Sequence, residues 1–277
     1  MLASLLITLR EGLEAALIVG IVLGVLHRLQ RHDLVRPAWA GVAAAVALSV
    51  AGGLALRGLG VALEGRSEEI FEGATMLVAA SVLTWMIFWM GRRGREIQAT
   101  LERDVRRTAA QGSAWGLFGL TFIAVVREGV ETALFLNAAL FTSTPTQTLI
   151  GGVLGLAIAV GLGWAIFAAG RRLNIRAFFR VTGIFLLLFA AGLVARGVHE
   201  FQEAALLPTL VQPVWDLNPF LDEHSLLGEF LKALFGYNGD PSLLEILAYG
   251  LYLAAVGWIS LRPGSQPVAT HSSPSRG

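Results

Sequence analysis

Seven stretches of this chain run apolar for about 20 residues or more, the length a helix needs to cross a bilayer, and that pattern decides most of what it can become. They are Leu2–Leu26, Ala38–Leu56, Ile70–Met90, Ala114–Leu140, Thr146–Ala169, Phe178–Val198 and Leu243–Leu261. At 1.5 Å per residue, a helix over each covers a hydrocarbon core of ~30 Å. Helix is the demanded state, because lipid offers no partners to the open backbone groups of a sheet edge. Charged residues make up 15% of the 277, well under the roughly 25% of a soluble domain. The reading is an all-α, polytopic membrane protein with seven transmembrane helices. The first run begins almost at Met1, is too long for a signal-peptide core and has no basic residues ahead of it, so it reads as a retained span.

Basic residues orient the spans. Arg28, Arg31 and Arg36 follow the first, and Arg92, Arg93, Arg95, Arg103, Arg106 and Arg107 follow the third. Arg171, Arg172, Arg176 and Arg180 sit at the turn between the fifth and sixth, and Arg262 and Arg276 follow the seventh; the alternate loops hold only Arg57, Arg66 and Lys232. The positive-inside rule then puts the N-terminus outside and the C-terminus in the cytoplasm of a plasma (inner) membrane protein. Trp85 and Trp89, just before Gly91, fit an aromatic belt at the inner interface. Net charge is +1, so no bulk field points to nucleic acid. Cysteine is absent, which excludes disulfides, thiolate metal sites and cysteine nucleophiles.

Two spans carry charge where none should be comfortable. "LREGLEAALIVG" from Leu9 is echoed by "VREGVETALFLN" from Val126, with Arg127 standing 117 residues after Arg10. The copies lie in spans 1 and 4, so the repeat unit is three spans. An odd number inverts the second unit about an axis in the membrane plane. The expected organisation is a 3+3 inverted repeat plus one extra helix. Residues 1–112 hold the first repeat with its inner loop, and residues 113–204 the second. An outer loop with an amphipathic helix (Ser225–Gly236) fills 205–241. The seventh span occupies 242–262, and a disordered cytoplasmic tail 263–277. Glu11 and Glu128 fall ~14 Å and ~21 Å from opposite faces, near mid-membrane.

Facing lipid, Arg10, Glu11, Glu14, Arg127, Glu128 and Glu131 would together cost roughly 15–20 kcal/mol, more than the ~5–15 kcal/mol stability of a typical domain. They must face inward. The spacings Glu11/Glu14 and Glu128/Glu131 place each pair on one helix face, and Gly12 and Gly129 allow close approach between them. Two arginines against four carboxylates leave a formal excess of two negative charges. A structural salt-bridge network would neutralise itself, whereas this excess calls for a cation or protons. Carboxylate oxygens suit a hard ion. The five histidines lie outside the mid-membrane layer, so the residues themselves lead to a hard multivalent cation or protons and no further.

Paired R-E-G-x-E motifs in spans 1 and 4 of a seven-span chain resemble the iron permease family, the oxidase-dependent ferric iron transporters of fungi and their bacterial counterparts. The similarity extends to "EEIFEGATMLVAASVLTWMIFWM" (Glu68–Met90) and "HEFQEA" (His199–Ala204). The second motif has Val130 where the first has Leu13, which changes no ligand. The resemblance implies import of Fe(III) as transported substrate, with Glu11, Glu14, Glu128 and Glu131 as iron ligands and Arg10 and Arg127 as the motif arginines. It also implies an extracytoplasmic ferroxidase or iron-binding partner protein, and neither an organic cofactor nor an enzymatic activity.

At the outer end, Glu68, Glu69 and Glu72 on span 3 and His199, Glu200 and Glu203 on span 6 stand at helical spacings. They read as an entry funnel that concentrates cations. Two alternatives stay open. One is transport of another ion: manganese, lead, calcium or protons. The other is an intramembrane carboxylate-bridged metalloenzyme, against which stands the lack of a Glu-x-x-His pair at the right depth. Gly20/Gly24 and Gly151/Gly155 have the spacing of close helix contacts.

Overall fold

The structure, a computed structural model, describes residues 1–167, 174–222 and 225–261; within its helices the side chains of 92–95, 97, 167, 176, 226, 229, 233 and 234 are not described. The expected tail, together with Arg171, Arg172, Arg262 and Arg276, lies outside the described residues, as do the side chains of Arg92, Arg93, Arg95 and Arg176. Among the described residues there is no strand.

Eight α-helices follow in order: α1 Leu2–Arg28, α2 Val35–Val61, α3 Arg66–Ala110, α4 Ala114–Leu140, α5 Pro145–Phe167, α6 Ile175–Glu203, α7 Leu226–Phe235 and α8 Leu243–Leu261. Five stretches are apolar enough to cross a membrane while carrying at most two charges in their apolar window: His32–Val61, Arg66–Gly91, Pro145–Ile166, Ala177–Glu203 and Leu243–Leu261. The chain is a multi-pass membrane protein. α1 and α4 are long enough too, at 27 residues each, but each carries the three charges of its motif.

The largest departure from the sequence pattern is α3. Its 45 residues run through the stretch expected as an inner loop and stop only at Ala110. The charged segment stays helical because one face is apolar and covered: Val105 and Ala109 are fully buried against Val22, Val25 and Leu26 of α1, Leu34, Ala38 of α2 and Leu117 of α4. On the other face, Glu102 pairs one turn on with Arg106 at 2.6 Å, which holds its carboxyl below the usual carboxylate range. Gly112, at φ +66°, turns the chain sharply, and Ser113 Oγ then caps α4 by accepting the Gly116 N–H at 3.0 Å.

Pairing of the helices is regular. α1 lies on α5, α2 on α4 and α3 on α6, with α1 and α4 also in contact. Gly151 and Gly155 of α5 seat α1: a Cβ on Gly155 would overlap Thr8 and the Leu5 carbonyl, and one on Gly151 would overlap Ser4 and the Met1 carbonyl. Gly24, by contrast, faces open space. On α6, Gly192 lies against Gly236, the left-handed C-cap of α7.

Apolar layers bracket the motif helices. Toward the end where α1 begins (the upper end), Ile7, Met76, Leu83, Phe135, Phe189 and Leu193 interlock from α1, α3, α4 and α6. Toward the end where α3 extends (the lower end), the layer built on Val105 and Leu26 closes the bundle. Along α1 and α4, both R-E-G-x-E motifs fall between the two layers.

Candidate metal site

Four carboxylates and two guanidinium groups meet in that intermediate layer. Glu11, Glu128 and Glu131 each place one oxygen so that the three lie within 4.8 Å of one another. Glu14 is within electrostatic reach of Glu128, Glu131 and Arg127, and Glu11 of the other three glutamates. Glu11, Glu14, Glu128 and Glu131 are all buried, so water cannot relieve the repulsion of four like charges.

The arginines answer only part of it. Arg10 Nη1 donates to Glu11 Oε1 at 2.9 Å and Arg10 Nη2 pairs with Glu14 Oε1 at 3.1 Å. Arg127 donates from Nε and Nη2 to Glu128 Oε1 at 3.0 and 2.6 Å, and its Nε lies 3.7 Å from Glu131 Oε1. Glu11 Oε2, Glu128 Oε2 and Glu131 Oε2 are buried and accept no hydrogen bond from the chain. Buried oxygens left in that condition are costly, and a cation is the partner that satisfies several at once.

Around the arginines stand Met86 and Phe179, which the sequence pattern did not single out, and Trp89, which it placed in an interfacial belt. Arg10 Nη1 also donates to Met86 Sδ at 3.1 Å, and its Cζ lies 5.8 Å from the centre of the Phe179 ring. Arg127 Cζ lies 5.3 Å from the centre of Trp89. Apolar side chains in apolar helices give no sequence signal for such a task.

The motif glycines serve the packing that brings the layer together. Gly12 faces Ala159 and Leu156 of α5, while Gly129 faces Ser49 of α2. Each motif glycine therefore admits the second helix of the other half of the chain.

The upper-end residues divide. Glu72 is within electrostatic reach of Glu68, Glu200, Glu203 and Arg196, and Glu200 of Glu69, Glu203, His199 and Arg196. The two acidic groups, from α3 and α6, thus stand together. His199 is engaged elsewhere: its Nδ1 lies 3.0 Å from Glu245 Oε1 and its Nε2 3.3 Å from Glu203 Oε1. Glu245 in turn accepts from Asn238 Nδ2 at 2.7 Å and from the Ser242 N–H at 3.1 Å. Ser242 Oγ caps the Glu245 N–H at 3.3 Å, a reciprocal capping box that starts α8. Arg196, His199, Glu203, Lys232 and Asn238 line a cavity of about 360 Å³ beside this knot.

Residues 1–261 match the model of the iron permease FTR1 family. The ferrous iron permeases EfeU of Shigella sonnei (strain Ss046) and of Escherichia coli O157:H7 are each 37% identical over 276 residues, covering 99% of this chain and all of theirs. The ferrous iron permease EfeU of Yersinia pestis is 38% identical over 255 residues, 91% of this chain and 90% of its own. No solved structure matches. With its charged motifs inside the matched region, the chain belongs to the iron permease FTR1 family.

Proposed function

We propose that this protein imports iron across the membrane through the buried carboxylate layer, with Glu11, Glu14, Glu128 and Glu131 as ligands. The observation that carries the reading is the convergence of oxygens from both motif copies within 4.8 Å. Hydrogen bonds from the chain leave one oxygen each of Glu11, Glu128 and Glu131 unanswered. Iron enters at the upper end past the Glu68, Glu69, Glu72, Glu200 and Glu203 group, sheds water onto the carboxylates and leaves at the lower end.

Seven spans arranged as a 3+3 inverted repeat plus α8 complete the proposal. Exchanging α1 with α4, α2 with α5 and α3 with α6 converts the α1–α5 contact into the α4–α2 contact. The same exchange maps the α3–α6 and α1–α4 contacts onto themselves. The opposed placements of Gly12 and Gly129 obey it as well. The upper end faces outside, with the N-terminus, and the lower end faces the cytoplasm, because the basic α3 extension belongs inside.

The ion in this reading is Fe(III), which an all-oxygen donor set suits, delivered by an extracytoplasmic ferroxidase. The name of the EfeU relatives, ferrous iron permeases, favours a second reading, Fe(II). Radiolabelled iron uptake into cells lacking other iron importers tests both. The wild type accumulates iron and the Glu11→Gln/Glu128→Gln double variant does not; equal uptake by the two would sink the carboxylate site. Supplying iron as ferric citrate or with ascorbate, with and without a ferroxidase, assigns the oxidation state.

A further inference from the structure

Two nearly identical motifs have placed their arginines in unlike surroundings. Arg10 is sealed: its side chain is 2% exposed, held by Glu11 and Glu14 and closed over by Met86 and Phe179. Arg127 also pairs with its two glutamates, with Glu128 at 2.6 Å and Glu131 at 3.7 Å, yet its side chain is 41% exposed. Its neighbours along that face of α4, Ile123 and Val130, are exposed on the flank of the bundle. Beyond it stands Trp89 of α3, stacked on the exposed Trp85 at 5.7 Å between ring centres. Both tryptophans precede Gly91, where the membrane-spanning part of α3 ends at the lower side.

A multivalent cation entering four carboxylates competes with both guanidinium groups for the same oxygens and repels them. Only one of the two has room to move. Arg127 already lies over Trp89, 5.3 Å from the ring centre, so it can give up its carboxylates and keep that cation–π contact. Arg10 also lies over a ring, Phe179 at 5.8 Å, but its side chain is enclosed and has no opening. We propose that Arg127 is the displaceable counter-ion of the site and Trp89 the ring that retains it while the carboxylates hold the cation. Arg10 is the fixed member of the pair. When a cation binds, Arg127 gives up Glu128 and Glu131 and stays on Trp89. Its return to the two carboxylates displaces the cation and resets the site.

This inference rests on the iron-import reading, and the two fail differently. The experiment measures iron binding by the purified full chain and iron transport by the same chain in liposomes, for the wild type, Arg127→Gln, Arg127→Lys, Arg10→Gln, Trp89→Leu and Trp89→Phe. Arg127→Gln is expected to keep its bound iron and lose transport, and Arg127→Lys to keep binding with slowed transport. Trp89→Leu lowers the maximal rate at an unchanged half-saturating iron concentration, and Trp89→Phe restores that rate. The Trp89 variants leave the ion pairs intact, so they remain decisive if Arg127→Gln does not fold. Loss of binding and transport in step in Arg127→Gln would overturn the proposal. So would an unchanged maximal rate in Trp89→Leu, or a separation of binding from transport in Arg10→Gln instead. A wild-type protein that binds no iron would remove the underlying reading itself.

Discussion

Gly129 of α4 lies so close to Ser49 of α2 that one added methyl group would overlap the serine hydroxyl. Between Glu128 and Glu131, this is the position at which the motif is pressed into the opposite half of the chain. Gly12 repeats the relationship, with an added Cβ 2.9 Å from Ala159 Cβ. Gly129→Ala should therefore destabilise the protein by ~1–3 kcal/mol, the usual range for overpacking. Ser49→Gly in the same chain should recover much of it. Thermal unfolding in detergent checks this, and a Gly129→Ala protein as stable as the wild type would contradict the packing.

Removing a carboxylate from the deep layer should have the opposite effect on the protein without iron. Glu131→Gln relieves repulsion among four buried acids, so its melting temperature should equal or exceed that of the wild type. What it should lose is stabilisation by iron, which for a saturable site amounts to ~2.7 kcal/mol at a hundredfold excess over Kd. Melting curves with and without iron separate the two effects. An iron-induced rise of equal size in both proteins would remove Glu131 from the ligand set.

His199 was expected at the entry funnel, and its contacts assign it a joint between α6 and α8. His199→Ala leaves Glu245 buried with one fewer partner, a loss of ~1–3 kcal/mol. Stability should fall, while the iron concentration for half-maximal uptake stays as it was. A raised half-saturating concentration with unchanged stability would return His199 to the ion path.

The absence of cysteine makes orientation directly measurable. Asp104→Cys on the α3 extension and Phe220→Cys in the loop before α7 are both exposed positions. A membrane-impermeant thiol reagent should reach Phe220→Cys from outside intact cells and Asp104→Cys only in inverted vesicles. Labelling of both from one side would refute the assigned topology.

Much of the site was legible because charge in an apolar run is so costly. Arg10, Glu11, Glu14, Arg127, Glu128 and Glu131 could only be explained by facing one another, and they do share one layer, in which all but Arg127 are buried. Helix ends were less legible. The stretch after Gly91 is dense in arginine and looks like a loop, and only the burial of Val105 and Ala109 by three other helices keeps it helical. His199 and Glu245 are 46 residues apart, and nothing in either local pattern announces their pairing. Met86 and Phe179 are silent for a different reason, and Trp89 was read only as a belt residue: an apolar residue over a guanidinium looks the same in sequence as one facing lipid.

The apolar layer of Ile7, Met76, Leu83, Phe135, Phe189 and Leu193 bears on when the charged layer can be reached. These side chains are packed at or near zero exposure, and an apolar constriction admits an ion only when it widens enough to hold water. An ion approaching from the upper end would have to part them, so this stretch of the bundle has the character of a gate.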